Sequence, residues 1–456
     1  ATCREKVHVK CGKELFGPEH EGKYAVIARA LYGLKSSGAS WRHHFATEIR
    51  NLGFTGTIAD PDVYRKRTTD PSGQAYYEYI VVYVDDVICI SHNPQHWMDI
   101  LSSHYRLREI GIPTKFLGNE IKRKEYVNDD GFQSYCWAFG SDTYLKDACD
   151  LAELQMKNHN ISYPSSQCHG GSSPFSSQAY RPELDASEFC SPELVTMYQN
   201  LIGVLRWIIE LGRIDVLLET SLLSQYLAQP RLGHLQQACN IFRYLKKVNS
   251  AYVVMDPTRW DVAWTGGPDE FHPKERAVYM RELYPDAEDH VPPNMPEPLG
   301  QEVDISCFVD SDHAGNKITR RSHTGILLYL NSAPIIWYSK RQNTVESSTF
   351  GSEIIAMKQA VDMIEAMIYK LRMFGVPISG EARIFCDNMA AVKSGSNPDA
   401  RLQKKHNSIA FHRIREAVAA GWLLIYHESG ESNLADLLTK VLTVERRRKL
   451  ILGILG

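Results

Sequence analysis

The chain has 456 residues, 43% hydrophobic and 23% charged, with a formal net charge of −3. That length accommodates two or three domains with cores of their own, and the composition is that of ordinary globular proteins. No stretch approaches the roughly 20 consecutive apolar residues of a membrane span. The start, ATCREKVHVKCGKELFG, has no apolar h-region, so it does not read as a secretory signal. It lacks an initiating Met, which suggests a chain cut from something longer. The slight negative charge argues against a bulk polyanion binder, so any nucleic-acid contact has to come from local basic patches. The ten cysteines are scattered, without a CxxC or Cys/His zinc pattern, and read as buried thiols.

In chain order, the first clear signal is YEYIVVYVDDVICIS at 77–91. Two apolar β-rich stretches, Tyr79–Val84 and Val87–Ile90, flank the acids Asp85 and Asp86, which predicts a hairpin with acids at its turn. Residues 159–192 are rich in Ser, Pro and Gly and predict an exposed linker or loop. Helical spacing returns over 195–248, where Leu201, Leu205, Ile208 and Leu211 recur at three- and four-residue steps. Ile241, Tyr244 and Leu245 predict a further helix ending at Lys246 and Lys247, charges that suit a helix C-terminus. Residues 255–302 are rich in proline and acids and predict a second linker or a long surface excursion.

From 304 onward ISCFV, ILLYL and IIWYS predict three antiparallel strands, followed by a long helix from about Ser352 to Phe374. Its stripe Ile354, Met357, Val361, Ile364, Ile368, Leu371 steps by three and four. RIFC (383–386) is a fourth strand, 407–420 is helical, LLIYH (423–427) is a fifth strand, and a final helix is expected from near Asn433. The order βββαβαβα predicts an α/β (α+β) domain with a mixed five-stranded sheet and helices packed against it.

Within this pattern Asp310 is expected to close the first strand, Glu353 to open the long helix, Asp387 to close the fourth strand, and Asp436 to lie in the final helix. Singly, such acids are turn formers or favour a helix dipole. Together they can converge on one sheet edge, where four carboxylates repel unless cations neutralise them. Two Mg²⁺ ions would do so and would activate a water for attack on a phosphodiester. Asp312 is a competitor for the first position, and His427 precedes Asp436 with the reading of a satisfied surface histidine.

FVDSDHAGN, RRSHTGILLYL, PIIWYSKRQNTVESSTFGSE, IFCDN and NLADLLTK resemble, in order and spacing, the ribonuclease H of copia-type retrotransposons. ALYGLKSSGASW, LGFTGTIADPDVY, YVDD and FLGNEI resemble the second half of the reverse transcriptase of the same elements. The resemblance implies a partial reverse transcriptase over 1–150, a linker and helical thumb or connection over 151–250, a Pro- and acid-rich linker over 251–303, and a ribonuclease H-like domain over 304–456. It implies metal ligands at Asp310, Glu353, Asp387 and Asp436, polymerase metal ligands at Asp85 and Asp86, and a primer-holding segment at Phe116, Leu117 and Gly118. Ser36-Ser37-Gly38 stands where the family usually has Gln-Ser-Pro, and Phe350-Gly351 where Glu-Ala is commonest.

The fingers and the first palm strand, with a further metal-binding Asp, are expected upstream of Ala1, so the polymerase is expected to be incomplete as given. The implied cofactor is Mg²⁺, two ions per active site, with Mn²⁺ as a substitute. The implied partners are an RNA–DNA hybrid, RNA template and DNA primer, deoxynucleoside triphosphates, and other parts of the polyprotein, with no membrane. The implied location is the cytoplasm, in a virus-like particle, or the nucleus. Two other readings are a non-catalytic relic that at most binds nucleic acid, and an integrase or transposase. The latter is disfavoured because Glu353 falls between Asp310 and Asp387 instead of last.

Overall fold

The computed structural model describes residues 6–127, 131, 133–164, 171–259, 273–402 and 404–455. The expected linkers fall partly on 165–170 and 260–272, which lie outside the described residues, as does Cys3 of the opening segment. The chain forms two compact units, one of residues 1–113, 294–300 and 370–376, the other of 114–293, 301–369 and 377–456. No helix among the described residues is long and apolar enough to cross a membrane.

The first unit begins with a two-stranded ribbon, β1 (His8–Lys10) and β2 (Tyr24–Val26), with a single turn of helix between them, α1 (Lys13–Phe16). Its main sheet runs in the order β3 (Thr55–Gly56), β4 (Val63–Thr69), β5 (Ala75–Tyr83), β6 (Asp86–Ile90). Helices α2 (Ser37–Asn51) and α3 (Pro94–His104) supply Phe45, Ile49, Trp97 and Leu101 to a core shared with Phe54, Tyr64 and Ile80. The predicted hairpin is present: Tyr83 pairs with Asp86, so Val84 and Asp85 form a two-residue turn.

In the second unit β7 (Lys115–Phe116), β8 (Asn119–Val127), β9 (Gln133–Gly140) and β10 (Val253–Met255) form an antiparallel sheet. Beside it lie α4 (Asp142–Asn158), α5 (Pro192–Glu210), α6 (Leu217–Leu223) and α7 (Leu232–Lys247). The predicted stripe Leu201, Leu205, Ile208 is buried in a core with Ala152, Met156, Leu235 and Ile241.

The described part of 159–192 departs from the expected exposed loop. Phe175 is fully buried in that core, and Ser173 and Ser176 are buried beside it. A loop can be buried only if its polar groups find partners. Here Asn240 donates to the carbonyls of Ser173 and Pro174 at 3.2 and 2.7 Å, and Gln237 accepts from Ser176 N at 2.9 Å. The 255–302 excursion likewise contains a helix, α8 (Pro273–Leu283).

The last sheet is mixed and five-stranded, as expected. Its order is β13 (Ala333–Arg341), β12 (His323–Leu330), β11 (Ile305–Asp312), β14 (Ala382–Cys386), β15 (Leu423–His427). Strands β11, β12 and β13 are antiparallel, whereas β11–β14 and β14–β15 are parallel. Central strands covered on both faces read as continuous apolar runs, and the interiors of β11 and β12 are buried throughout. Helix α9 (Thr349–Phe374) buries its whole predicted stripe, and α10 (Met389–Ser396) and α11 (Ser408–Ala419) pack beside β15.

Two boundaries differ from expectation. Strand β11 runs on to Asp312, so Asp310 lies inside it, opposite Gly325. The expected final helix from Asn433 divides into a 3-10 turn, Leu434–Leu438, and α12 (Val444–Leu452). The division falls where the Thr439 hydroxyl donates to Asp310 and where Thr443 caps a new helix by accepting from Arg446 N at 3.2 Å.

Candidate active site

The ends of β11 and β14, the second turn of α9 and the 434–438 turn bring Asp310, Glu353, Asp387 and Asp436 together. Ligand oxygens of Asp310, Asp387 and Asp436 lie within 4.8 Å of one another, and Glu353, Cys386 and Asp387 form an overlapping group on the same scale. Parallel pairing of β11 with β14 sets Val309 beside Cys386, so the next residue of each, Asp310 still within β11 and Asp387 just past the end of β14, comes to the same level of the sheet. Glu353 reaches the cluster from α9, accepting from Ser311 N at 3.3 Å. Asp436 is placed by Asn433, whose amide donates to Val309 O at 2.9 Å and whose oxygen accepts from Ala435 N at 3.1 Å.

A glycine makes this approach possible. A Cβ on Gly325 would stand 2.9 Å from Ala435 O and from Leu438 Cβ, closer than real contacts allow. The 434–438 turn therefore rests on the backbone of β12 directly over the partner of Asp310. Gly325→Ala is expected to lift that turn, costing roughly 1–3 kcal/mol as overpacking does. It should also blunt Mg²⁺-induced stabilisation in a thermal-melt assay. Full Mg²⁺ stabilisation in the variant would show that the close approach does not set the site.

The carboxylates carry the electrostatic signature of mutual crowding. Burial, then Asp310, pushes Asp436 up to about 6. Burial, then Asp310 and Asp387, holds Glu353 well above the carboxylate range, and Asp387 is raised by burial and Asp310. Lys440 partly compensates. Its ammonium lies 3.1 Å from Asp310, 2.6 Å from Asp436 and 4.0 Å from Asp387. Burial alone would lower that ammonium, but Asp310 and Asp436 more than offset it and raise it above its usual value. Arg446 forms a second ion pair with Asp436.

Asp312, the competitor, is not part of the cluster. It accepts from His323 N and burial pushes it up to about 8. His427 stands exposed at the rim, its Nε2 3.1 Å from Asp387 O. His406 pairs with buried Glu346 at 2.9 Å and His412 with Tyr284 Oη at 2.8 Å. Lys440, Thr439, Arg446 and Cys386 were not singled out from sequence. Lys440 had a legible signal, since it stands four residues after Asp436, which places the two on one face of a helical turn.

The donor set suits hard divalent cations, which prefer oxygen ligands. Cys386, at 3.9 Å from Glu353 Oε2, is held in its neutral form by burial. Two overlapping groups of carboxylates, with Asp436, Glu353 and Asp387 raised by burial and by the Asp310 charge, are the arrangement a divalent ion would relieve.

In the first unit Asp85 and Asp86 are exposed at the β5–β6 turn. Val84 adopts a φ of 56°, unfavourable for a β-branched residue, and Trp41 Nε1 fixes its carbonyl at 2.8 Å. Among the described residues no group of three ligand-bearing side chains includes Asp85 or Asp86. Phe116, Leu117 and Gly118 form the tight β7–β8 turn of the second unit, with Leu117 at φ 50° and Gly118 at φ 83°. Asp62 is held by Arg42 at 2.6 Å.

The fold and site thus define a mixed α/β protein whose five-stranded mixed sheet carries an acidic centre at one edge. Its homologues are retrovirus-related Pol polyproteins of transposons. The chain is 24% identical over 421 residues to the Pol polyprotein from transposon RE1 of Arabidopsis thaliana, covering 91% of this chain and 24% of that protein. It is 23% identical over 433 residues to that of transposon TNT 1-94 of Nicotiana tabacum, covering 94% of this chain and 28% of that protein. It is 27% identical over 258 residues to a putative transposon Ty5-1 protein of Saccharomyces cerevisiae, covering 55% of this chain and 73% of that one. The chain therefore spans about a quarter of the length of the first two relatives. No family model matches it.

Among solved structures, LC11-RNase H1 in complex with an RNA/DNA hybrid is 17% identical with a TM-score of 0.24, covering 30% of this chain and 93% of that one. The foamy viral protease-reverse transcriptase in complex with double-stranded DNA is 12% identical with a TM-score of 0.41, covering 90% of this chain and 52% of that one.

Proposed function

We propose that this chain is the reverse transcriptase and ribonuclease H portion of a copia-type Pol polyprotein, and that its second unit hydrolyses the RNA strand of RNA–DNA hybrids. The observation that supports the reading most is the gathering of Asp310, Glu353, Asp387 and Asp436 at one sheet edge. Those four residues would hold two Mg²⁺ ions, with Mn²⁺ as a substitute. Bound there, the ions would supply Lewis acidity at the phosphate and a deprotonated water as nucleophile.

The chain's own groups do the rest. Asp310 is fixed by the Thr439 hydroxyl, and burial of Asp310, Glu353 and Asp436 keeps bulk water from screening their charge. Lys440 balances the carboxylates and offers an ammonium to an incoming phosphate oxygen. His427 lies against the carbonyl of Asp387 through its Nε2, and no proton transfer is assigned to it. RNA-directed DNA polymerisation through Asp85 and Asp86, on an RNA template and DNA primer with deoxynucleoside triphosphates, is proposed for the whole polyprotein.

The test is incubation of the purified chain with a labelled hybrid, with Mg²⁺ and with EDTA. RNA-strand cleavage is expected only with Mg²⁺, and intact RNA under both conditions would overturn the reading. A pH signature accompanies it. In the metal-free protein a raised carboxyl means that the folded state binds the proton more tightly than the unfolded chain. The stability Asp436 contributes is therefore full below its ordinary value of 3.8 and is lost as pH rises through about 6, and Glu353, raised well above its ordinary value, adds a loss in the same direction. Mg²⁺ should accordingly raise the melting temperature more at pH 8 than at pH 5, where it has to displace protons. Equal rises at both pH values would argue against metal binding by these acids.

A further inference from the structure

The four carboxylates at the sheet edge do not share the protein's own cations evenly. Every oxygen of Asp310 and Asp436 is already engaged. Lys440 Nζ lies 3.1 Å from Asp310 Oδ1 and 2.6 Å from Asp436 Oδ1. The second oxygen of Asp310 accepts from the Thr439 hydroxyl, and that of Asp436 is paired with Arg446. Glu353 and Asp387 are held more loosely. Glu353 accepts from Ser311 N at 3.3 Å and from the Cys386 thiol at 3.9 Å, and Asp387 stands 4.0 Å from Lys440.

The ammonium is placed there by the backbone. Lys440 N donates to Asp436 O at 3.0 Å, closing a turn that sets both side chains on one face. An ion pair on an open surface is weakened by water, but the carboxylates of Asp310 and Asp436 are buried, so their attraction for Lys440 is strong. The lysine itself is only half-buried, and it lines a neighbouring cleft of about 220 Å³ together with Thr439 and Gly315. Its flexible stem therefore has room to carry the ammonium away while the backbone stays in place. Divalent ions bind through carboxylate oxygens, and here an ammonium contacts two of those oxygens and cancels part of the charge that would draw a metal.

We infer that Lys440 is a resident counter-cation that competes with divalent ions for Asp310 and Asp436, and so lowers the metal affinity of the centre it belongs to. The inference rests on the proposed metal centre and deepens it. Loading that centre requires Lys440 to give up two oxygens, which frees its ammonium for a phosphate of the nucleic acid. Lys440 thereby ties metal binding to substrate contact. The sign of its effect is diagnostic. A lysine that only held the carboxylates in position would weaken metal binding when removed, whereas a competitor strengthens it.

The experiment is isothermal titration calorimetry of Mn²⁺ into the purified full chain without nucleic acid. Lys440→Gln should bind Mn²⁺ on the order of tenfold more tightly, the scale of removing a cation in contact with two buried carboxylates. Lys440→Met should show the same gain, because charge is the cause, and misfolding cannot produce tighter binding. Lys440→Arg, which keeps the charge, should remain near wild type. Arg448→Gln, which removes a charge from the exposed side of α12, should match wild type. Hybrid cleavage gives a second readout. Lys440→Gln should reach its half-maximal rate at a lower Mg²⁺ concentration than wild type, while its maximal rate falls for want of the ammonium at the phosphate. Unchanged or weaker Mn²⁺ binding by both neutral variants would overturn the inference, as would an equal gain in Arg448→Gln. If the wild-type chain cleaves the hybrid in Mg²⁺ and neither neutral variant gains affinity, the competition fails alone. If the wild-type chain neither binds Mn²⁺ nor cleaves, the metal centre fails with it.

Discussion

Asp310→Asn is expected to reduce cleavage of the hybrid by on the order of 10³-fold or more, the scale of losing a group that stabilises transition-state charge through a metal site. Asp310 is the carboxylate most tightly woven into the cluster. It is nearly fully buried, it faces Asp387 and Asp436 within 4.8 Å, and its charge raises Asp436, Glu353 and Asp387 alike. Asn preserves size and an acceptor for the Thr439 hydroxyl, so the local fold should survive. The substitution removes one of the repelling charges, and the remaining acids should relax toward ordinary values, Glu353 keeping the effects of burial and of Asp387. The metal-free variant should therefore melt higher than wild type at pH 8, by on the order of 1 kcal/mol. Its Mg²⁺-induced rise should be lost. Higher stability in EDTA with lost activity is the pattern of a site that trades stability for chemistry. Cleavage within tenfold of wild type would remove Asp310 from the reaction.

The degree to which this was legible in the sequence follows from the range of the forces involved. The five strands after 304, the long helix α9 and the YVDD hairpin are written in local periodicity, and each is found where the pattern puts it. Asp310, Glu353, Asp387 and Asp436 were legible as acids next to element ends, and the parallel pairing of β11 with β14 supplies the convergence that sequence could only allow. The Ser/Pro/Gly-rich stretch before 192 misled, because its polar residues answer to Gln237 and Asn240 more than 60 positions away. Lys440 was missed because a lysine after a helical turn ordinarily reads as solvated. Its meaning depends on Asp310, 130 residues upstream. Arg447 stands in the basic run 446–448, and a run of like charges is usually a solvated face. It is among the most buried side chains in the protein.

Arg447 carries the second large expectation. From α12 its guanidinium meets Glu219 of α6 in two bonds, 2.7 and 3.1 Å, and also donates to the carbonyl of Asp215. Asp215 is itself held by Arg213 at 2.7 and 2.9 Å and by the Tyr244 hydroxyl at 2.8 Å. The end of the chain is thus locked into the helical segment by a buried ionic network. Arg447→Met should cost about 3–5 kcal/mol, because it leaves the Glu219 carboxylate buried without its counter-charge. The double variant Arg447→Met with Glu219→Leu should recover most of that loss, since two apolar side chains replace the pair. The pH dependence separates this from a packing defect. Burial pushes Glu219 upward and Arg447 opposes it. Without Arg447 the folded-state carboxyl is raised further, so the deficit should be small at pH 5 and grow toward pH 8. Thermal or urea melts of the two variants at both pH values measure it. A deficit independent of pH and not repaired by Glu219→Leu would mean that Arg447 acts through shape alone. A pH-dependent, repairable deficit would mean that residues 304–456 depend on α6 for their stability, so that a ribonuclease H-like segment cut away near 300 should lose stability with the loss of Glu219.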